Sequence, residues 1–284
     1  MAISTFKVNN TFTVISYNIW FDDALTAERT MSLVKMISDI NPDAICLQEV
    51  RPHIYSFLIN ILGNYRYHFP KKLSKSYDCV IFSKYPIKKC LEYPYDNSTM
   101  GRSILITTID YSSEFMNKSY DPYHGKTEDG VSVDKIEIVV TNTHFESLFK
   151  KKHLNKTKVE QFEIASNILE GLFTNFKNVI MCADTNVLHH EEHKFNEYFD
   201  NNSWIDSWKE KGSSLINKYT YDSDSNIYLK SRFPNVKYKS RIDRIVFKSY
   251  NLILEEFGML KSDGKVIEPS DHFGIYSKFI IIKE

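Results

Sequence analysis

Arginine is the clearest shortage in this chain: seven residues against twenty-nine lysines in a sequence of 284. Net charge is lacking too, at zero from 36 basic and 36 acidic residues. That balance argues against a broad basic coat for nucleic acid, so any affinity for phosphates must come from local patches. No run approaches 18 consecutive apolar residues, so neither a membrane span nor a membrane partner is expected. The first residues, MAISTFKVNNTF, show no basic flank followed by an apolar core, so no secretory signal is expected. The four cysteines, Cys46, Cys79, Cys90 and Cys182, lack CxxC spacing and mostly sit in apolar, strand-like runs. A zinc or disulfide framework is not expected, and reduced core thiols point to an intracellular compartment, nuclear or cytoplasmic.

What is present is core-forming material, with 42% hydrophobic and 14% aromatic residues, incompatible with disorder. The length allows one sizeable domain or two small ones. No linker, internal repeat or low-complexity tract divides it, so a single domain over residues 1–284 is expected. Strand-like segments rich in β-branched and aromatic residues fall at 11–19, 44–47, 79–83, 103–109, 136–143, 179–182, 242–247, 252–260 and 274–282. Helical periodicity marks residues 25–40, through Leu33, Met36, Ile37 and Ile40, and then 54–62. A third helix is predicted over about 158–173, with Phe162, Ala165, Ile168, Leu169 and Leu172 as its stripe. Many strands and few helices predict two packed sheets with helices outside. The polar stretch 112–133 reads as a long hairpin tip, a surface insertion.

Chemistry-bearing residues collect at the strand ends. The first strand ends in Tyr17-Asn18-Ile19-Trp20 and the second in Leu47-Gln48-Glu49-Val50. Later strands run into Thr143-His144-Phe145-Glu146-Ser147 and Ala183-Asp184-Thr185-Asn186. Near the C-terminus stand Arg241-Ile242-Asp243-Arg244 and Ser270-Asp271-His272-Phe273. Singly, each has an ordinary explanation: Glu49 as a solvated carboxylate, His144 as a rim histidine, Asp184-Thr-Asn as a turn that bonds its own backbone. Six such coincidences in one chain favour a shared polar rim, held where a layered fold is rigid.

The order Asn18, Glu49, His144, Asp184/Asn186, Asp243, Asp271/His272 resembles the endonuclease/exonuclease/phosphatase (DNase I-like) superfamily. Within it, the strings Leu-Gln-Glu, Thr-His-x-Glu-Ser, Asp-Thr-Asn, Arg-x-Asp-Arg-Ile and Ser-Asp-His are most similar to the type-two tyrosyl-DNA phosphodiesterases. The likeness runs over roughly residues 12 to 280. It implies a four-layer αββα sandwich of two mixed sheets flanked by helices, and a Mg²⁺-dependent phosphodiesterase in which Mn²⁺ can substitute. The implied reaction releases a protein tyrosine from the 5′ end of DNA or RNA and leaves a 5′-phosphate. The implied partner is a single-stranded nucleic-acid end carrying a linked protein or peptide, met by a monomeric enzyme. Four departures bear on the substrate: Ala183 for a glycine, no arginine shortly after Asp-Thr-Asn, tyrosine in the run Tyr219–Asp222 where tryptophan is usual, and Ile242 for a phenylalanine.

Phosphodiester hydrolysis needs positive charge on the phosphoryl oxygens and an oriented nucleophile. Mg²⁺ prefers oxygen and keeps waters, so one or two carboxylates suffice. Glu49 is the expected first ligand, helped by Asp271 and Asn18. Asp184 is expected to orient and deprotonate water, with Asn186 fixing that water or a phosphate oxygen. His272 would donate to the transition state, aimed by Asp243, while His144 and Ser147 contact the phosphate from the other side. Arg102, Tyr221, Arg241 and Ile242 are expected to contact substrate. Two basic runs, Lys150-Lys151-Lys152 with Lys156 and Lys158, and Lys230, Arg232, Lys237, Lys239 with Arg241, are expected to track the backbone. Tyr219, Tyr221, Tyr228, Phe233 and Tyr238 would either stack on bases or belong to the core. The alternatives are an abasic-site endonuclease, a deadenylase or a lipid phosphatase on the same scaffold, and an inactive nucleic-acid-binding module.

Overall fold

The computed structural model describes residues 11–111, 120–121, 126–127, 136–147, 154–262, 264 and 267–282. In chain order the strands are β1 (Thr11–Asn18), β2 (Ala44–Val50), β3 (Tyr67–Phe69), β4 (Asp78–Ser83), β5 (Ile87–Pro94), β6 (Ser103–Asp110), β7 (Tyr120–Asp121), β8 (Lys126–Thr127), β9 (Glu137–His144), β10 (Asn178–Asp184), β11 (Ile205–Asp206), β12 (Tyr221–Asp222), β13 (Lys239–Ser240), β14 (Asp243–Ser249), β15 (Leu252–Leu260) and β16 (Gly274–Ile281). The helices are α1 (Thr26–Ile40), α2 (Pro52–Ile61), α3 (Leu154–Asn175), α4 (Glu192–Phe199), α5 (Ser207–Glu210) and α6 (Ile227–Arg232).

Two six-stranded mixed sheets form, in the orders β15-β16-β1-β2-β4-β3 and β11-β14-β10-β9-β6-β5. Their central strands are buried on both faces, which explains why the sequence shows continuous apolar runs there rather than alternation. On β1, Phe12 and Val14 point into the core between the sheets, where Ile180 and Cys182 of β10 meet them. Ile15 and Tyr17 point outward to Leu33, Met36 and Ile37 of α1 and to Tyr55 and Leu58 of α2. On β10, Val179, Met181 and Ala183 point outward to Phe162, Ala165 and Leu169 of α3 and Phe195 and Phe199 of α4. The result is the expected helix–sheet–sheet–helix layering. Cys46, Cys79 and Cys182 are free and buried, as expected, whereas Cys90 is exposed.

Two differences from the sequence reading have simple causes. Strand β5, IKKCLEYP, is exposed along nearly its whole length, so its lysines and Glu92 hide any apolar pattern. It is an edge strand specified by pairing with β6, and such charges also discourage further strand addition. Helix α3 begins at Leu154, before the apolar stripe that marks it in the sequence. Of the expected insertion at 112–133, only residues 120–121 and 126–127, paired as β7 and β8, lie within the described residues.

Strand direction builds the rim. β1 and β2 are parallel, as are β9 and β10, so all four deliver their C-terminal residues to one edge. β16, β14 and β6 run antiparallel to these neighbours and therefore start at that same edge. Beneath it, Gln48 Nε2 donates to Asn142 Oδ1 (2.7 Å), and Asn142 Nδ2 donates to the Leu47 and Val80 carbonyls (2.9 and 2.8 Å). These buried amides join the two sheets and fix which strand ends face each other.

Candidate active site

Sheet one contributes Asn18, Glu49 and the Asp271-His272 pair; sheet two contributes His144, Asp184 and Asp243. Register places His144, Asp184 and Asp243 side by side on β9, β10 and β14. The sheets meet where Asn18 Nδ2 donates to Asp184 Oδ2 (2.8 Å). The other Asp184 oxygen accepts from the Asn186 backbone N–H (3.0 Å). Asn186 has φ 50°, a conformation asparagine tolerates in a tight turn, and its Nδ2 donates to the Phe145 carbonyl (2.9 Å). Burial, and then the negative charge of Asp243, push the Asp184 carboxyl up to about 7.

Two histidines flank Asp184 in opposite charge states. His144 Nδ1 accepts from Arg102 Nη1 (2.8 Å), because a guanidinium only donates, so its proton sits on Nε2, 3.2 Å from Asp184 Oδ2. Burial, and then the Arg102 charge, hold this ring well below the usual histidine range, so it is neutral. His272 Nδ1 lies 2.9 Å from Asp243 Oδ2, and its Nε2 lies 4.0 Å from Asp184 Oδ2. Burial opposes its charge, but Asp243, Asp184 and Asp271 outweigh burial and push it up to about 10. The Asp243 backbone is in turn held by Thr220 Oγ1, which accepts its N–H at 3.1 Å.

Glu49 sits at a register shift in the β2–β4 pairing, at φ 60°. A carboxylate in left-handed backbone is a strained position that turns the side chain onto the rim. Its Oε2 accepts from the Phe21 N–H (3.0 Å), and its Oε1 lies 4.0 Å from His144 Nδ1. Burial, and then the nearby Asp271 charge, raise the Glu49 carboxyl, and burial raises Asp271 as well. A half-buried and a buried carboxylate that repel one another are hard oxygen donors suited to a divalent cation such as Mg²⁺ or Mn²⁺. Asp184, Asp243 and His272 also lie within 4.8 Å of one another and could geometrically hold an ion. We assign the positive charge there to the His272 proton, since Nδ1 is already committed to Asp243 and a hard cation disfavours nitrogen.

The remaining sequence expectations divide. Tyr221 packs edge-on to His272 (centroids 5.1 Å) and clusters with Ile242 and Leu229 beside the rim. Arg102 reaches His144, and Ser147 Oγ lies 3.3 Å from Met100 Sδ on the Arg102 side. Arg241 does not join them: its guanidinium donates to Asp206 (2.6 Å) and Glu192 (2.7 Å) and is 6% exposed. It belongs to a buried ion cluster with Arg244, a fate a string of charges cannot reveal. Lys158 is likewise buried, and Lys239 pairs with Asp222 and Asp224 (3.3 and 3.1 Å). Lys150, Lys151 and Lys152 lie outside the described residues. Phe233 and Tyr238 are partly buried against the Tyr221 cluster, and Tyr228 lies against the Trp20 ring at 5.0 Å.

Sequence reasoning missed several supports. Arg29 donates to the backbone carbonyls of Ile19, Trp20, Asp22, Ala24 and Pro269, tying the loop after β1 to the approach to Asp271. Glu146 accepts from Ser98 and Thr99, fixing the loop that carries Arg102. Trp20, at φ 59°, covers Arg29 at 4.4 Å. Only Glu146 carried a signal, as part of its motif.

A layered sandwich with catalytic-type groups at one edge is shared by metal-assisted hydrolases of phosphate esters, and the chain belongs to the Endonuclease/Exonuclease/phosphatase family, whose pattern matches residues 15–272. More particularly, it is 25% identical over 287 residues to Tyrosyl-DNA phosphodiesterase 2 of Xenopus tropicalis, covering 95% of this chain and 66% of that protein. The chain thus spans just under two thirds of that relative's length. Truncated Caenorhabditis elegans TDP2 shares the fold with TM-score 0.75 at 20% identity, over 95% of this chain and 98% of that one. D. rerio TDP2, complexed with single strand DNA product, gives TM-score 0.73 at 20% identity, over 95% and 99%.

Proposed function

We propose that this chain is a Mg²⁺-dependent phosphodiesterase that hydrolyses the bond between a protein tyrosine and the 5′ end of DNA, or of RNA, leaving a 5′-phosphate. It would act inside the cell, in nucleus or cytoplasm, as a monomeric single domain on a single-stranded end. The observation that carries the chemistry is Asp184 set between a neutral His144 and a cationic His272. The relatives named tyrosyl-DNA phosphodiesterase, and the relative bound to single strand DNA product, support the choice of substrate.

Glu49 and Asp271, with Asn18 nearby, would hold a divalent cation, which would supply positive charge for a phosphoryl transfer. Asp184, raised toward neutrality, orients water and accepts its proton. Asn186, tied to Phe145, keeps its carboxamide oxygen for that water. His272 donates from Nε2 to the charge growing on phosphorus-bound oxygen, and Asp243 keeps it protonated and aimed. His144 offers its Nε2–H as a neutral donor. The two ring nitrogens of His144 face opposite ways, Nε2 to Asp184 and Nδ1 to Glu49 and Arg102. In-line displacement by water at Asp184 therefore expels tyrosine toward Glu49, Arg102 and Ser147. The nucleotide then lies against Tyr221 and Ile242.

Arg232 is an exposed arginine at this mouth, 3.3 Å from Asp271 and 5.6 Å from the Trp20 ring. R232A is expected to raise KM about 3- to 10-fold with kcat nearly unchanged, and to reduce the salt slope of binding by about one phosphate contact. An unchanged salt slope rejects that contact.

The deciding assay is cleavage of a single-stranded oligonucleotide bearing a 5′-phosphotyrosine, with Mg²⁺ and with EDTA, beside an abasic duplex and poly(A). Metal-dependent release of tyrosine leaving a 5′-phosphate supports the proposal. Cleavage of a control alone redirects the substrate within the family, and no cleavage at all rejects the enzymatic reading.

A further inference from the structure

Lys158 is the buried cation that the mechanism above leaves unused. It stands on α3, in what the sequence shows as a lysine-rich flank, yet its side chain is 1% exposed. Burying an ammonium is costly unless its protons are matched, so such a residue needs a specific partner. It has two: Nζ donates to Glu191 Oε2 at 2.6 Å and to the Asn186 backbone carbonyl at 2.7 Å. Glu191 also accepts the Leu188 N–H at 3.1 Å, so the carboxylate and the ammonium together clamp both ends of the segment from Asn186 to Leu188.

That segment sets the Asp184 carboxylate. Asn186 stands in left-handed backbone, and its N–H holds one Asp184 oxygen, while Asn18 Nδ2 and His144 Nε2 meet the other. The preceding residue is anchored separately, Thr185 N donating to the Ile242 carbonyl at 2.7 Å. The peptide after Asn186 lacks such an anchor in strand pairing, since β10 ends at Asp184. Its N–H makes only a long bond, 3.4 Å from Val187 N to Thr185 Oγ1, whereas its carbonyl is held by the ammonium at 2.7 Å.

We propose that Lys158 is a positioning residue for the reaction: it fixes the turn 184–186 so that the Asn186 N–H and carboxamide hold the attacking water and the Asp184 carboxylate in line with the phosphate. The inference rests on the phosphodiesterase reading of this site. A misplacement approaching 1 Å in such a group costs about 100-fold in rate. K158M is therefore expected to lower kcat ~10- to 100-fold with KM within about twofold.

K158M alone strands Glu191 and lowers stability, so the test pairs it with K158M/E191L, which removes both charges and replaces them with apolar groups. Replacing a buried ion pair in this way is commonly neutral or stabilising. On the 5′-phosphotyrosyl oligonucleotide with Mg²⁺, the double variant is expected to regain the wild-type Tm while kcat stays low, and K158R to recover most of kcat. If the double variant regains kcat along with Tm, Lys158 is purely structural and the inference is overturned. Wild-type protein inactive on every phosphodiester overturns instead the reading on which it rests.

Discussion

Asp184→Asn is expected to lower kcat by at least about 1,000-fold, which corresponds to ~4 kcal/mol of lost transition-state stabilisation. The substitution keeps shape. The single amide oxygen can accept from Asn18 Nδ2 or from the Asn186 N–H, which reach different Asp184 oxygens, so one of those two bonds is kept and the other lost. What disappears is a proton acceptor raised to about 7 and fixed between two histidines. Substrate binding is expected to survive, with KM within a few-fold, because the proposed phosphate contacts come from His144, His272 and the cation. The fold is expected to survive too. Burial and the neighbouring Asp243 both disfavour a charge on Asp184, so a neutral amide there should leave Tm equal or higher. Rapid-quench turnover, with calorimetry on the same samples, checks both halves. Full activity in D184N removes Asp184 from the reaction, whereas lost activity with a collapsed Tm makes the residue a structural one.

The layers were legible because sheets buried on both faces leave continuous apolar runs, and α1 shows its helical stripe plainly. Strand β5 was not, since an exposed edge is specified by its neighbour rather than by its own alternation. The rim was legible for a topological reason. Parallel strands deliver C-terminal residues to one edge, so polar residues at strand ends such as Asn18, Glu49, His144 and Asp184 mark that edge in the sequence itself. Lysines and arginines were the weakest readings. Lys158 and Arg241 sit among charged neighbours in sequence and are buried in ion pairs in space, because their partners Glu191 and Asp206 lie 33 and 35 residues away. Charge patterning reports composition along the chain, and it cannot report which charges are matched across it. The protonation states were also invisible: His144 and His272 are the same residue type, separated only by an arginine against one and a carboxylate against the other.

That separation leaves Glu49 as the residue on which metal dependence turns. Glu49→Gln is expected to raise the Mg²⁺ concentration for half-maximal activity by more than about tenfold, consistent with the loss of a ligand charge at an oxygen site. Wild-type protein is expected to lose all turnover in EDTA and regain it with Mg²⁺ or Mn²⁺. The stability signature has the opposite sign. Glu49 is half-buried near Asp271, and removing its charge relieves a repulsion that His272, the Phe21 N–H and Arg102 offset only in part, since the carboxyl still stands above its ordinary range. In EDTA, E49Q should therefore melt at or above the wild-type temperature. On adding Mg²⁺ the wild type should gain stability by mass action and E49Q should gain little. A ligand at Glu49 requires both results together. If E49Q loses activity but still gains wild-type stability from Mg²⁺, the cation is held elsewhere, and the cluster of Asp184, Asp243 and His272 becomes the place to look. D243N then separates the two: it should abolish the metal-induced gain if the ion sits there, and leave it intact if the ion sits at Glu49 and Asp243 serves only to hold the proton on His272.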